Sequence, residues 1–133
     1  MRDASRCFIC GRDNPIGLQL RFARDGEGVR AEFTPSDLHV GYEGLVHGGI
    51  LAALIDDALA NIWFVRGLEA VTAKIEVRFR REARPGERLV VTARPTGTKG
   101  GMATAKAEVS RADGEVVAEG MGLLAVRTDR AVG

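Results

Sequence analysis

Leu18, Leu20 and Phe22 alternate with Gln19, Arg21 and Ala23, the two-residue period of a half-buried strand. Asn14-Pro15-Ile16-Gly17 reads as the turn leading into it, and Asp25-Gly26-Glu27-Gly28 as a hairpin turn out of it. Val29, Ala31 and Phe33 then alternate on the far side. An irregular stretch, Thr34 to His47, carries Pro35, Gly41 and Gly44 and runs into Gly48-Gly49. From Ile50 to Val65 the chain lacks Gly and Pro and is rich in Ala and Leu, which predicts a helix ended by Gly67. This run is apolar nearly all round, so the helix is expected to be buried. Beyond it, Val71, Ala73, Ile75, Val77 and Phe79 alternate with Thr72, Lys74, Glu76 and Arg78 as a third strand. Pro85-Gly86 turns the chain into Leu89 to Ala93, the glycine-rich loop Gly97 to Gly101 leads to Met102 through Val109, and Asp113-Gly114 signals a hairpin before Val116 through Val126. One helix cannot cover itself. The order predicts an α+β domain in which a curved antiparallel sheet of about five to six strands wraps one long central helix.

The 133 residues suit one domain, expected over 1–133. Hydrophobic residues make up 45% of the chain, enough for a core. With 19 basic against 18 acidic residues the net charge is +1, which argues against a nucleic-acid binder. The basic strip Arg78-Phe79-Arg80-Arg81 with Arg84 would suit a phosphate-bearing small ligand, but equally a solvated strand edge. The start of the chain is polar and the longest apolar stretch, Ile50 to Ile55, is too short to span a bilayer, so no membrane association and a cytoplasmic location are expected.

Cys7 and Cys10 form a single Cys-x-x-Cys. A zinc site ordinarily needs two further ligands at matching spacing, and only His39 and His47 are available as histidines. The sequence expectation is therefore no metal site, and two small thiols at a turn.

A buried helix carries charge only for a reason, because an unpaired buried carboxylate costs several kcal/mol or becomes neutral. This helix has Asp56 and Asp57 side by side, with Asn61 one turn after Asp57. Adjacent positions point about 100° apart, so only one of the two can face a given cleft. At the helix start, Gly48 and Gly49 leave backbone N–H groups open to an anion or an oxyanion, although a Gly-Gly pair also serves simply as a turn. His47 is a candidate base by its intrinsic pKa range, or a residue that orients the loop. No serine sits at nucleophile-elbow spacing and neither cysteine is near His47 in sequence, so a catalytic triad is poorly supported. The glycines around Lys99 do not form a Walker loop.

The run His47-Gly48-Gly49-Ile50-Leu51-Ala52-Ala53-Leu54-Ile55-Asp56, with its acid nine positions after the histidine, resembles the signature of PaaI-like hotdog thioesterases. The resemblance extends over nearly the whole chain. Cys7-Phe8-Ile9-Cys10-Gly11 with Asn14-Pro15-Ile16-Gly17-Leu18 resembles the opening of one bacterial branch, and the strand Val71 to Phe79 resembles the one that follows the helix in these enzymes. It implies a hotdog fold and hydrolysis of an acyl-CoA thioester to free acid and CoA. It implies Asp56 as general base or nucleophile, the Gly49 N–H as oxyanion donor, Thr72 as the hydroxyl that positions water, and His47 within the catalytic set. It also implies a substrate-binding set of Gly48, Lys74, Phe79, Gly97, Thr98, Lys99, Gly100, Gly101 and Met102, with Lys99 toward the CoA phosphates and Phe79 along the pantetheine. Many members carry asparagine six residues before the histidine, where this chain has Gly41.

The resemblance further implies a homodimer or homotetramer with the active site at the interface, and no cofactor beyond the CoA of the substrate. A non-catalytic acyl-CoA binding module on the same fold is the rival reading, and a hotdog dehydratase a third. Ile62, Trp63 and Phe64 are candidates for an acyl pocket, although at helical spacing such residues more often form core.

Overall fold

The Ala- and Leu-rich run becomes helix α1, Gly48–Phe64, in a computed structural model that describes residues 2–127. Residues 1 and 128–133 of the expected 1–133 domain lie outside the described residues. Leu54, Ile55, Ala58, Leu59 and Ile62 of α1 are completely buried, as a helix without a polar face requires. Six strands surround it: β1 Ala23–Asp25, β2 Gly28–Phe33, β3 Glu69–Phe79, β4 Leu89–Lys99, β5 Met102–Arg111 and β6 Val116–Arg127. All pair antiparallel in one sheet, in the order β1-β2-β4-β5-β6-β3. One face of that curved sheet holds α1 against Val29, Leu89, Val91, Val109, Val117 and Leu124. This is the expected hotdog arrangement. No helix among the described residues is long and apolar enough to cross a membrane.

α1 approaches β6 closely: a side chain on Gly120 would lie 2.7 Å from Ile55 Cγ2 and one on Gly122 2.8 Å from Leu59 Cδ1. Bare backbone at these two positions lets the helix settle onto β6. Of the acyl-pocket candidates, Ile62 and Trp63 are core, and only Phe64 is exposed.

Three segments depart from the periodicity. The first predicted strand survives only as the three exposed residues of β1. Gln19 sits at φ 60°, outside any strand, and Leu18 and Leu20 donate their N–H groups to the carbonyls of Phe8 and Ile9 instead of to the sheet. Within the stretch before α1, Ser36 caps a short 3₁₀ turn over Asp37–His39 and donates its backbone N–H to His39 Nδ1 at 2.9 Å. Most consequential is β3, whose pairing with β6 shifts register between Thr72 and Lys74. A bulge adds one residue and so swaps the faces of everything before it. Ile75 and Val77 face α1 as predicted, but Val71 and Ala73 are turned outward and Thr72 inward.

Candidate active site

The bulge is what delivers a hydroxyl to the helix. Thr72 Oγ1 donates to Asp56 Oδ1 at 2.7 Å, joining the third turn of α1 to β3 across the helix–sheet seam. Both residues are half-buried. Thr72 occupies one carboxylate oxygen and leaves the other open to a further donor, the arrangement a general base acting on water needs.

Asp57 points elsewhere, as two adjacent helical positions must. Its Oδ1 accepts from Cys7 Sγ at 3.4 Å and its Oδ2 from Asn61 Nδ2 at 3.1 Å. Burial raises the Asp57 carboxyl above the ordinary carboxylate range, the contacts with Cys10 and Cys7 oppose this, and neighbouring Asp56 adds to the rise. Burial also pushes the Cys10 thiol up, and the contact with Asp57 pushes it further. The two aspartates thus occupy separate environments, and only Asp56 shares one with a hydroxyl.

At the start of α1, His47 is the N-cap, with φ −61° and ψ 134°. The Gly49 N–H, expected to stand open for an oxyanion, instead donates to His47 Nδ1 at 2.7 Å. The physical reason is ordinary capping: an acceptor side chain at the N-cap satisfies an orphan N–H of the first turn. The Gly48 N–H has no acceptor among the described residues. His47→Ala removes the cap, so thermal or urea unfolding is expected to show a loss of about 1 kcal/mol, which His47→Asn largely restores. Gly41 stands where the family often has asparagine, and a side chain there would lie 3.3 Å from His47 Cδ2. Here the imidazole is held by its own helix.

The rest of the expected substrate set divides in two. Phe79, 53% exposed at the end of β3, lays its ring against Gly48, where an added Cβ would lie 3.5 Å from Cε1. That ring borders a cleft of about 590 Å³ lined also by Arg80, Arg81, Glu82, Arg84 and Arg111. The basic strip pointed to this cleft, whereas Arg111 arrives from β5 and had no sequence signal. Several of these arginines carry acidic partners: Arg81 pairs with Glu115 at 2.6 Å and Arg111 with Glu87 at 3.4 Å.

Gly97 to Met102, expected as a loop, is mostly strand. Gly97, Thr98 and Lys99 end β4, Met102 opens β5, and only Gly100 and Gly101 turn, at φ 59° and 80°. Thr72, Leu124, Ala103 and Thr98 are successive cross-strand partners over β3, β6, β5 and β4. Three strand spacings therefore separate Thr98 from Thr72, about 14 Å. Lys74 lies beyond the bulge on the outward face, 3.7 Å from Glu76. Within one chain, then, Asp56 meets Thr72, and Gly48, Gly49 and His47 meet near Phe79, but the hairpin and Lys74 join neither group.

The thioesterase superfamily model matches residues 43–118, from the approach to α1 to the start of β6. A Deinococcus radiodurans protein provisionally named as an esterase is 36% identical over 100 residues, covering 74% of this chain and 68% of its own length. Among solved structures, the Escherichia coli PaaI protein of the phenylacetic acid degradation operon superposes with TM-score 0.73 at 24% identity, covering 80% of this chain and 82% of that one. A hypothetical thioesterase from Streptococcus pneumoniae, solved with coenzyme A, superposes with TM-score 0.74 at 16% identity, covering 81% and 85% of the two chains.

Proposed function

Because this chain belongs to the thioesterase superfamily, where thioester hydrolysis is the general activity, we propose that it hydrolyses acyl-CoA thioesters with Asp56 as the general base. The observation that carries this reading is the Thr72–Asp56 hydrogen bond of 2.7 Å. It supplies a held carboxylate on a largely apolar helix, at the position the motif singles out.

In this reading water donates one proton to Asp56 while its oxygen attacks the thioester carbonyl carbon. The carbonyl oxygen becomes an oxyanion at the start of α1. Collapse of the tetrahedral intermediate breaks the C–S bond, and the leaving thiolate takes the proton back from Asp56. The products are the free acid and CoA. No metal or redox cofactor enters these steps.

Helix geometry decides how the parts combine. Gly49 and Asp56 are seven residues apart on one helix, so about 10 Å separates them along its axis. Asp56 meets the carbonyl only through the attacking water, so a single chain would have to string the oxyanion, the carbonyl carbon and that water in line along the whole of this rise. The reading therefore takes Gly49 from one copy and Asp56 with Thr72 from a second. The edge strand β3 supports such an assembly: it runs 11 residues and, among the described residues, no strand lies beyond it in the sheet order, and an edge of that length is a template for strand pairing. Two copies joined along β3 make a homodimer, and a homotetramer would stack two such pairs. The Gly49 N–H must exchange His47 Nδ1 for the thioester oxygen, while Gly48 offers an N–H with no bond to give up.

CoA is chosen as the carrier because the S. pneumoniae relative was solved with coenzyme A and because Lys99 caps an exposed hairpin that a second chain could bring to the nucleotide. A thiol-release assay over a panel of acyl-CoAs tests the proposal, and turnover of none of them would overturn it in favour of a binding module. In the same assay Lys99→Ala is expected to raise KM several-fold with kcat nearly unchanged, an effect that shrinks as salt rises. An acyl-pantetheine, which lacks the nucleotide phosphates, should not distinguish this variant from wild type.

A further inference from the structure

Outside the proposed active site, the fold gathers Cys7, Cys10 and Asp57 so that one ligand atom from each lies within 4.8 Å of the others. The three come from distant parts of the chain: a knuckle near the N-terminus and the middle of α1. Their grouping is independent of Asp56, which faces Thr72.

Several features make this a built site. The knuckle is closed by backbone: Cys10 N–H points at Cys7 Sγ at 3.5 Å and Gly11 N–H donates to Cys7 O at 2.9 Å. Gly11 is obligatory for that closure, since a side chain there would lie 2.3 Å from Cys7 N. Asp57 presents Oδ1 to Cys7 Sγ at 3.4 Å. In a tetrahedral centre with ordinary metal–sulfur and metal–oxygen bonds, that edge measures about 3.6 Å. The second carboxylate oxygen is held by Asn61, 6% exposed, whose Nδ2 donates to Oδ2 at 3.1 Å and to Asp57 O at 2.8 Å. An outer amide that fixes a ligand carboxylate is how metal sites orient their donors. The partners around Asp57 are thiol and amide groups, so the cluster contains no cation of its own to offset the charge its ligand forms would carry.

We propose that Cys7, Cys10 and Asp57 bind one thiophilic divalent cation of the zinc class, which staples the N-terminal knuckle to α1. Two thiolates and one carboxylate suit a borderline-soft ion and disfavour magnesium or calcium, which take oxygen ligands. The fourth tetrahedral position falls to water. Binding expels the thiol protons and ties residues 4–20, which have no sheet pairing, to the core helix. A count of cysteines and histidines misses this site because its third ligand is an aspartate fifty residues from Cys7.

Cobalt(II) tests the assignment, as its d–d and thiolate-to-metal bands report ligand type and geometry. The full-length chain, reduced, stripped with chelator and titrated with Co²⁺, is expected to bind one ion per chain with a tetrahedral visible spectrum and a sulfur charge-transfer band. Zn²⁺ should displace it and raise Tm by several degrees. Cys10→Ser should abolish the charge-transfer band or weaken apparent affinity at least tenfold, and Asp57→Asn should weaken it while leaving sulfur ligation. Should the folded, reduced wild-type chain show no such band and no Zn²⁺-dependent rise in Tm, the site does not exist. A Co²⁺ spectrum unchanged in Cys10→Ser would overturn it equally. Since the wild-type titration alone can refute the proposal, it survives any variant that fails to fold.

Discussion

Asp56→Asn is expected to lower kcat for an acyl-CoA by about a hundredfold or more, the size of a lost general base, with little change in Tm. Asparagine keeps the shape and an oxygen that still accepts from Thr72 Oγ1, so the Thr72 contact at 2.7 Å has no reason to break. What disappears is the basic oxygen. Asp57→Asn should reduce kcat far less, since its carboxylate turns toward Cys7 and Asn61 and away from the hydroxyl. Its cost should appear in metal affinity and stability instead. Steady-state kinetics on the two purified variants check this directly, and equal kcat losses would mean that the two neighbours do not have separate roles.

A second large effect follows from the length of helix between the proposed donor and the proposed base. Gly49→Val places a branched side chain where the thioester oxygen must approach, and its Cβ alone would sit 2.9 Å from His47 Nδ1. Alone, Gly49→Val and Asp56→Asn should each be nearly inactive. Mixed at equal amounts under subunit exchange, they should recover about a quarter of wild-type activity: random pairing makes about half of the dimers mixed, and each mixed dimer rebuilds one intact site of two. A tag on one variant confirms that mixed pairs form. Mixed pairs without recovery would place donor and base in the same chain, or in no common site, and the two-chain reading would fall.

Much of this molecule was legible from the residues. The helix was marked by composition, and the hairpins at Asp25–Gly28 and Asp113–Gly114 by turn chemistry, because those signals are local. Asp56 and Asp57 stood out together for a physical reason, since a carboxylate on a helix with no polar face needs a partner, and the resemblance alone chose Asp56 between them. The first strand was misjudged because its alternation is real but its backbone bonds go to Phe8 and Ile9. Periodicity reports which side chains are buried and is silent about which carbonyl receives each N–H. The hairpin at Gly100–Gly101 was overextended into a loop because three glycines in five residues suggest irregularity, whereas the cross-strand partners of Gly97, Thr98 and Lys99 carry the pairing almost to the tip.

Thr72 marks the boundary most clearly. By alternation alone it belongs with Lys74, Glu76 and Arg78 on the outer face, and only the bulge at 72–74 turns it inward to Asp56. A bulge is set by how two strands compete for register across a sheet, a property of both strands at once. The same holds for the company of the two aspartates: the sequence by itself determined that they must part, because adjacent helical positions diverge. Tertiary structure decided which one met a hydroxyl and which met two thiols, since β3 and the N-terminal knuckle approach the helix from different sides. Composition likewise determined a buried helix with a glycine-lined start, and the closing of His47 over the Gly49 N–H is local too, because an unmet donor at a helix end takes the nearest acceptor, here the N-cap side chain two residues before it.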